Sequence, residues 1–173
     1  MTMSRTGTRA LVIVMMTAGC GGHAVKNAPP PAPPKPVVVE QELQDSRVFA
    51  ASFDKVWNAV VSTLSELRYQ VESMERENGA AVTKPVNVAG KSARNALNRI
   101  SKLPAIPEGV WSKGWHSLSI FVTPGGGSRT NVKITTHIEG FESKVSDDWH
   151  VCYSNGFLEK QFLDSVGSKL TGR

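Results

Sequence analysis

The stretch from Ser52 to Tyr69 carries the strongest periodic pattern in the chain. Its apolar residues recur at the three- and four-residue spacing of one helical face, namely Phe53, Val56, Trp57, Val60, Leu64 and Leu67. Ser52 is a suitable N-cap, and Asp54 lies in the first turn, where the helix dipole favours negative charge. Because a helix with one apolar face must bury it against another element, we expect this helix to pack on a sheet.

Strand patterns follow the helix. Residues 69–83 alternate in their first half and contain Asn78-Gly79, which favours a hairpin. Residues 115–140 contain two longer strands, separated by the turn segment 124–128. Alternate positions of these two strands share one face, namely His116, Leu118, Ile120 and Val122, then Val132, Ile134, Thr136 and Ile138. This alternation predicts an antiparallel sheet that is covered on one side.

The two ends of the domain complete the expected architecture. Residues 46–51 predict a first strand, and residues 155–170 predict a last helix with Leu158, Phe162, Val166 and Leu170 on one side. We therefore expect an α+β, two-layer domain over residues 46–173. Its antiparallel sheet has four to six strands and packs with two main helices. About 130 residues suffice for one hydrophobic core.

Residues 85–114 interrupt this order and predict an insertion that contains a short, basic, amphipathic helix. Such a helix, with tryptophans nearby, is typical of segments that lie on a membrane or dock onto a partner. The candidate interaction surface consists of Arg94, Leu97, Arg99, Ile100 and Trp111. An exposed apolar patch around Leu97, Ile100 and Trp111 would support this interaction surface. The alternative is a helix that folds back on its own domain and keeps its charges in water.

The N-terminus has the features of an export signal. Arg5 and Arg9 precede an apolar run at residues 10–16, which is too short to span a bilayer. The following Thr17-Ala-Gly-Cys20 resembles the lipobox of bacterial lipoproteins. The resemblance implies that residues 1–19 are removed and that the Cys20 thiol carries a lipid. By the same resemblance, Gly21 implies sorting to the outer membrane. The alternative is an ordinary signal peptide with a chance cysteine.

Residues 20–45 are expected to form a tether, because residues 27–36 read NAPPPAPPKP. Proline favours the extended polyproline II conformation, so the tether could reach roughly 75–80 Å as a spacer. The alternative is a docking site for a proline-binding partner. The formal net charge is +5, but the chain from Val37 onward contains 16 Lys and Arg and 15 Asp and Glu, a net charge of +1. The excess of positive charge therefore lies outside the domain, which argues against nucleic acid as a partner.

The sequence contains no recognised catalytic motif. In residues 147–153, DDWHVCY, the side chains of Asp148, His150 and Cys152 share one strand face. They are expected about 7 Å apart, too far for a thiol–imidazole pair. We expect this row to face outward, because Trp149, Val151 and Tyr153 form the more apolar face. If Cys20 is lipidated, Cys152 has no disulfide partner.

The histidines do not predict a metal site either. His116 lies on the apolar side of its strand, and His137 lies on the polar side of the next strand. The two rings are therefore expected on opposite faces of the sheet, where they cannot share a metal ion. The sequence thus predicts no catalytic residue, no metal site and no cofactor, and we expect a protein that is not an enzyme.

Residues 53–83 resemble the repeated domain of the outer-membrane barrel-assembly lipoprotein C family. The matching residues are Val56, Trp57, Ala59, Leu64, Tyr69, Val71, Gly79 and Thr83. The resemblance implies a helix-grip fold and a lipid-anchored, non-catalytic accessory or scaffold subunit of a cell-envelope complex. Such a subunit is attached to the outer membrane, faces the periplasm and binds envelope proteins. The alternative is a periplasm-facing module that binds a lipid or other apolar ligand in a cavity under the sheet.

Overall fold

A computed structural model describes residues 43–172 of the chain. In chain order the elements are β1 (Ser46–Phe49), α1 (Phe53–Glu66), β2 (Val71–Glu75), β3 (Ala80–Thr83), β4 (Val86–Ala89), α2 (Ala93–Ile100), β5 (Ser101–Lys102), β6 (Trp111–Pro124), β7 (Thr130–Glu142), β8 (Asp148–Val151), β9 (Tyr153–Ser154) and α3 (Phe157–Thr171). The predicted signal peptide, the predicted lipidation of Cys20 and the proline-rich segment lie outside the described residues.

The two long strands β6 and β7 form the centre of the sheet. They are joined by residues 125–129, where the glycine-rich turn was expected. The strand order is β1-β7-β6-β3-β2, with β4 also paired to β6 and β8 also paired to β7. Each long strand is thus flanked by a different short strand at each end, and all pairings are antiparallel. A separate two-stranded sheet joins β5 and β9.

All three helices pack against the same face of the main sheet. The predicted apolar stripe of α1 is buried there, and α3 adds Phe162, Leu163 and Val166 to the same core. The inner positions of the long strands are fully buried, namely Leu118, Ile120, Val122, Val132, Ile134 and Ile138. The predicted α+β, two-layer class is confirmed. The main sheet has seven strands, more than the expected four to six.

A pair of glycines lets α2 approach the sheet closely. Gly114 of β6 lies directly opposite Gly140 of β7. A Cβ atom at Gly114 would lie 2.7 Å from a methyl carbon of Leu97, and one at Gly140 would lie 2.8 Å from the ring of Trp111. The side chains of Leu97 from α2 and Trp111 from the start of β6 therefore fill the space above the two glycines.

Residues 85–114 differ from the expected insertion. The predicted short helix exists as α2, but the segment before it forms β4 and pairs with β6 from Val86↔His116 to Ala89↔Lys113. The segment therefore completes both layers of the domain. Short strands such as β4 carry too few alternating positions to be recognised in a sequence.

Candidate interaction surfaces

The outer face of the main sheet, opposite the three helices, carries a row of aromatic side chains. We define the outer aromatic patch as Lys113, Trp115, His137, Phe141, Trp149 and Val151. Strand register brings them together, because Phe141 lies opposite Lys113 of β6 on one side and opposite Trp149 of β8 on the other. Val151 lies opposite Glu139 in the neighbouring row.

Contacts among the rings and with the Lys113 ammonium hold the side chains of the outer aromatic patch in place. The rings of Phe141 and Trp149 meet edge to face with their centroids 5.5 Å apart. The Lys113 ammonium lies 4.3 Å from the Phe141 centroid and 5.5 Å from that of Trp149. Trp115 packs on His137 at 4.9 Å. Because Lys113 contacts the π faces of two rings, it holds them in a defined orientation.

The patch opens toward the edge of the sheet at β8. Trp149, Val151 and nearby Tyr153 are 40%, 56% and 76% exposed, although all three are large and mainly apolar. Within residues 43–172, β8 pairs with β7 alone, so its outer edge has no neighbouring strand. Grouped exposed apolar side chains beside an open strand edge are typical of a protein-binding surface.

The sequence-based orientation of residues 148–153 was therefore wrong. The structure places Trp149, Val151 and Tyr153 on the outside, whereas Cys152 is buried and His150 is half-buried. The reason is the pairing of His150 with Gly140, which leaves room on the inner side for the imidazole to pack edge to face on Trp111. The sequence held a signal for this surface, because Trp115 and Phe141 also occupy the otherwise polar side of their strands.

Glu142 fixes the loop between β7 and β8. Its buried carboxylate accepts hydrogen bonds from the backbone N–H groups of Val110, Lys144, Val145 and Ser146. Burial alone would raise the pKa of Glu142, but these four hydrogen bonds outweigh it and hold the pKa well below its usual range. The carboxylate is therefore ionised and acts as an acceptor only.

The neighbouring polar side chains do not form a nucleophile–base–acid series. The Ser146 hydroxyl donates to the Glu142 carboxylate at 3.0 Å and lies 2.7 Å from Nε2 of His150. With its proton held by the carboxylate, the hydroxyl is left to accept a hydrogen bond from the ring. The Cys152 thiol lies 3.5 Å from the backbone oxygen of His150 and not against its ring, and burial raises the pKa of Cys152. The cluster holds the loop in place.

The five residues of the sequence-predicted interaction surface around α2 differ in their exposure. Arg94 and Arg99 are exposed, as expected for an interaction surface. Leu97, Ile100 and Trp111 are only 0%, 7% and 5% exposed, so the prediction that they belong to an interaction surface is wrong. Leu97 and Trp111 are buried because Gly114 and Gly140 leave space for them above the sheet.

A small polar cluster lies under the sheet. The Tyr69 hydroxyl is 3.4 Å from Nε2 of His116. Burial, followed by the negative charge of Glu159, raises the pKa of Tyr69 to about 12, and burial lowers the pKa of His116. The prediction that His116 and His137 face opposite sides is confirmed, because the strand neighbour of His116, Ser117, is the residue opposite His137. Within residues 43–172, no three His, Cys, Asp or Glu side chains are grouped to hold a metal ion.

Comparison of the sequence with known families and curated proteins gives no assignment. No protein-family model matches the chain, and no curated protein matches it. Among the described residues, none of the three helices combines the length and apolar character that crossing a bilayer requires. The fold alone therefore defines the class of this protein, a two-layer α+β domain.

Proposed function

We propose that this protein is a lipid-anchored, non-catalytic accessory subunit of a cell-envelope complex at the outer membrane. It binds another envelope protein through the outer aromatic patch and the open edge of β8. The observation that carries the proposal is the exposure of Trp149 and Val151 on a face of the main sheet that no helix covers in the described part of the chain, with the exposed Tyr153 of β9 next along the chain. The lipobox-like segment ending at Cys20 and the resemblance of residues 53–83 support the envelope location.

The exposed surface has the chemistry of a protein interface. Covering the exposed parts of Trp149, Val151 and Tyr153 would remove on the order of 300 Å² of mainly apolar surface from water. Aromatic side chains of this kind commonly form the energetic centre of protein interfaces. The free edge of β8 adds backbone N–H and C=O groups that a partner strand can pair with.

The apolar-ligand alternative requires a cavity under the sheet. In residues 43–172 the inner face is instead filled by the three helices, and side chains such as Val56, Leu118 and Phe162 are fully buried there. A cleft of about 570 Å³ beside Arg47, Phe49 and Asp164 lies open at the surface and not under the sheet. No observation of the described residues favours this alternative.

The test is site-specific photo-crosslinking in the native host. A photo-reactive amino acid replaces Tyr153 in the full-length, C-terminally tagged chain, and crosslinked proteins are identified from the membrane fraction. The matched control carries the same group at Phe121, which lies on the outer face of the main sheet, far along the long hairpin from the outer aromatic patch, and is 44% exposed. We expect one recurrent envelope protein from position 153 and not from position 121.

Two further variants separate anchoring from binding. Cys20→Ala is expected to lower the share of the protein in the membrane fraction. Trp149→Ser is expected to abolish the crosslink at position 153 and to lower the thermal unfolding midpoint by a few degrees, because the side chain is 40% exposed and packs on Phe141 and Lys113. Equal crosslinking from both photo-reactive positions, or an unchanged crosslink in Trp149→Ser, would contradict binding through the patch.

A further inference from the structure

The side of the domain opposite the outer aromatic patch carries a basic surface. The exposed residues of α2 are Arg94, Asn95, Asn98 and Arg99, and Lys91 and Lys102 flank the helix. We define the basic α2 surface as Lys91, Arg94 and Arg99; Lys102 is left out because it pairs with Tyr153. The buried side of α2 faces the sheet, so these cations point away from the core.

Among the described residues, no acidic side chain pairs with the basic α2 surface. Residues 78–107 contain five Lys and Arg and no Asp or Glu, although the chain has 15 acidic residues in total. Within residues 43–172, none of the three cations forms an ion pair, whereas Arg47, Arg76, Lys133, Lys144, Lys160 and Lys169 do. Only Arg99 has a partner of another kind, since its guanidinium lies 4.7 Å from the Phe157 centroid. The surface is therefore complementary to an anionic partner.

We propose that the basic α2 surface binds an anionic phospholipid membrane. Lys91 and Arg94 line an open cleft of about 400 Å³ together with Val110, which is 48% exposed. Cations beside an exposed apolar side chain suit the boundary between phosphate headgroups and acyl chains. The guanidinium groups of Arg94 and Arg99 can each bind two phosphate oxygens.

The proposed lipid contact is additional to the proposed protein contact and uses a different surface of the domain. The α2 layer and the outer aromatic patch lie on opposite faces of the sheet, so lipid and protein can bind at the same time. The contact would fix which face of the domain points toward the membrane and which toward the partner. A lipid anchor alone holds a domain near a membrane without orienting it.

Vesicle co-sedimentation tests the proposal without help from the anchor. The chain from residue 20 onward, carrying Cys20→Ala, is mixed with vesicles of phosphatidylcholine alone or with phosphatidylglycerol at about two to one. We expect sedimentation with the anionic vesicles only, and less of it as salt rises. Arg94→Gln with Arg99→Gln is expected to reduce the partition coefficient about 30-fold, since each basic residue near an anionic surface contributes about a factor of five.

A matched double variant removes the same net charge from another part of the helical layer. Lys55 and Arg68 are exposed, and neither forms an ion pair with a described residue. Lys55→Gln with Arg68→Gln is therefore expected to leave most of the vesicle binding in place. Equal losses in the two double variants, equal binding to neutral vesicles, or no vesicle binding would overturn the proposal. The photo-crosslink at position 153, measured in the same variants, reports on the proposed function separately.

Discussion

Replacing Leu97 with Ala tests whether α2 belongs to the core or to an exposed docking surface. Leu97 is 0% exposed, and its methyl groups fill the space above Gly114 and Gly140. Truncating a buried leucine to alanine loses the free energy of burying its side chain and leaves a cavity. The two effects together destabilise a protein by about 3 kcal/mol. For a domain of this size, that loss lowers the unfolding midpoint by about 10 °C.

The assay is urea unfolding followed by tryptophan fluorescence, with thermal unfolding by circular dichroism as a second measure. Arg94→Ala is the control, because this side chain lies on the exposed side of the same helix and its loss should cost less than about 0.5 kcal/mol. If Leu97→Ala proved as mild as the control, α2 would not be packed on the glycine pair. Its apolar side would then be exposed, as an interaction surface formed by Leu97, Ile100 and Trp111 would require.

Three further predictions concern the turn, the core histidine and the thiol. Gly79→Ala should destabilise the domain by about 2–3 kcal/mol in urea unfolding, because Gly79 has φ +62° and a Cβ atom would lie 2.0 Å from the backbone oxygen of Val122. Gly126→Ala, which meets no atom within 4 Å, should be nearly neutral, and equal effects of the two would refute this account. Since burial lowers the pKa of His116 below 6.5, the unfolded chain takes up the proton first, so the free energy of unfolding should fall as pH drops below about 6.5. His116→Gln should flatten this dependence in pH-series unfolding, and an unchanged slope would exclude His116 as its source. Because Cys152 is 3% exposed and its pKa is raised, native protein should react with iodoacetamide far more slowly than unfolded protein, and rapid native labelling would contradict a buried, protonated thiol.

The elements that the sequence predicted well are the ones whose pattern repeats often enough to define one face. The α1 stripe extends over 14 residues, and β6 and β7 each alternate over 13 or more. Most of the positions predicted to face the core are buried, and Phe53, Leu67 and Thr136 are half-buried. In contrast, β4 has four residues and β9 has two, which is too few for alternation to be distinguished from chance.

The surfaces were harder to predict, because the sequence does not show which apolar residues the fold leaves uncovered. The orientation of Trp149 and Val151 depends on the pairing of β8 with β7, which no local pattern specifies. Likewise, the burial of Leu97 depends on two glycines that lie 17 and 43 positions away along the chain. The basic character of residues 78–107 needs no tertiary information, so Arg94 and Arg99 could be named from the sequence.

The position of β1 has a consequence for the order in which the domain can fold. Ser46 pairs with Lys133, and Arg47 forms a 2.9 Å ion pair with Asp164 of α3. Strand β1 is therefore synthesised more than 80 residues before β7 and α3, and it can pair with them only after they have been made. The β6–β7 hairpin, by contrast, closes over five residues and can form early. Complete folding therefore requires nearly the entire chain to have emerged, and any truncation before α3 would leave β1 without its ion pair and the core without Phe162.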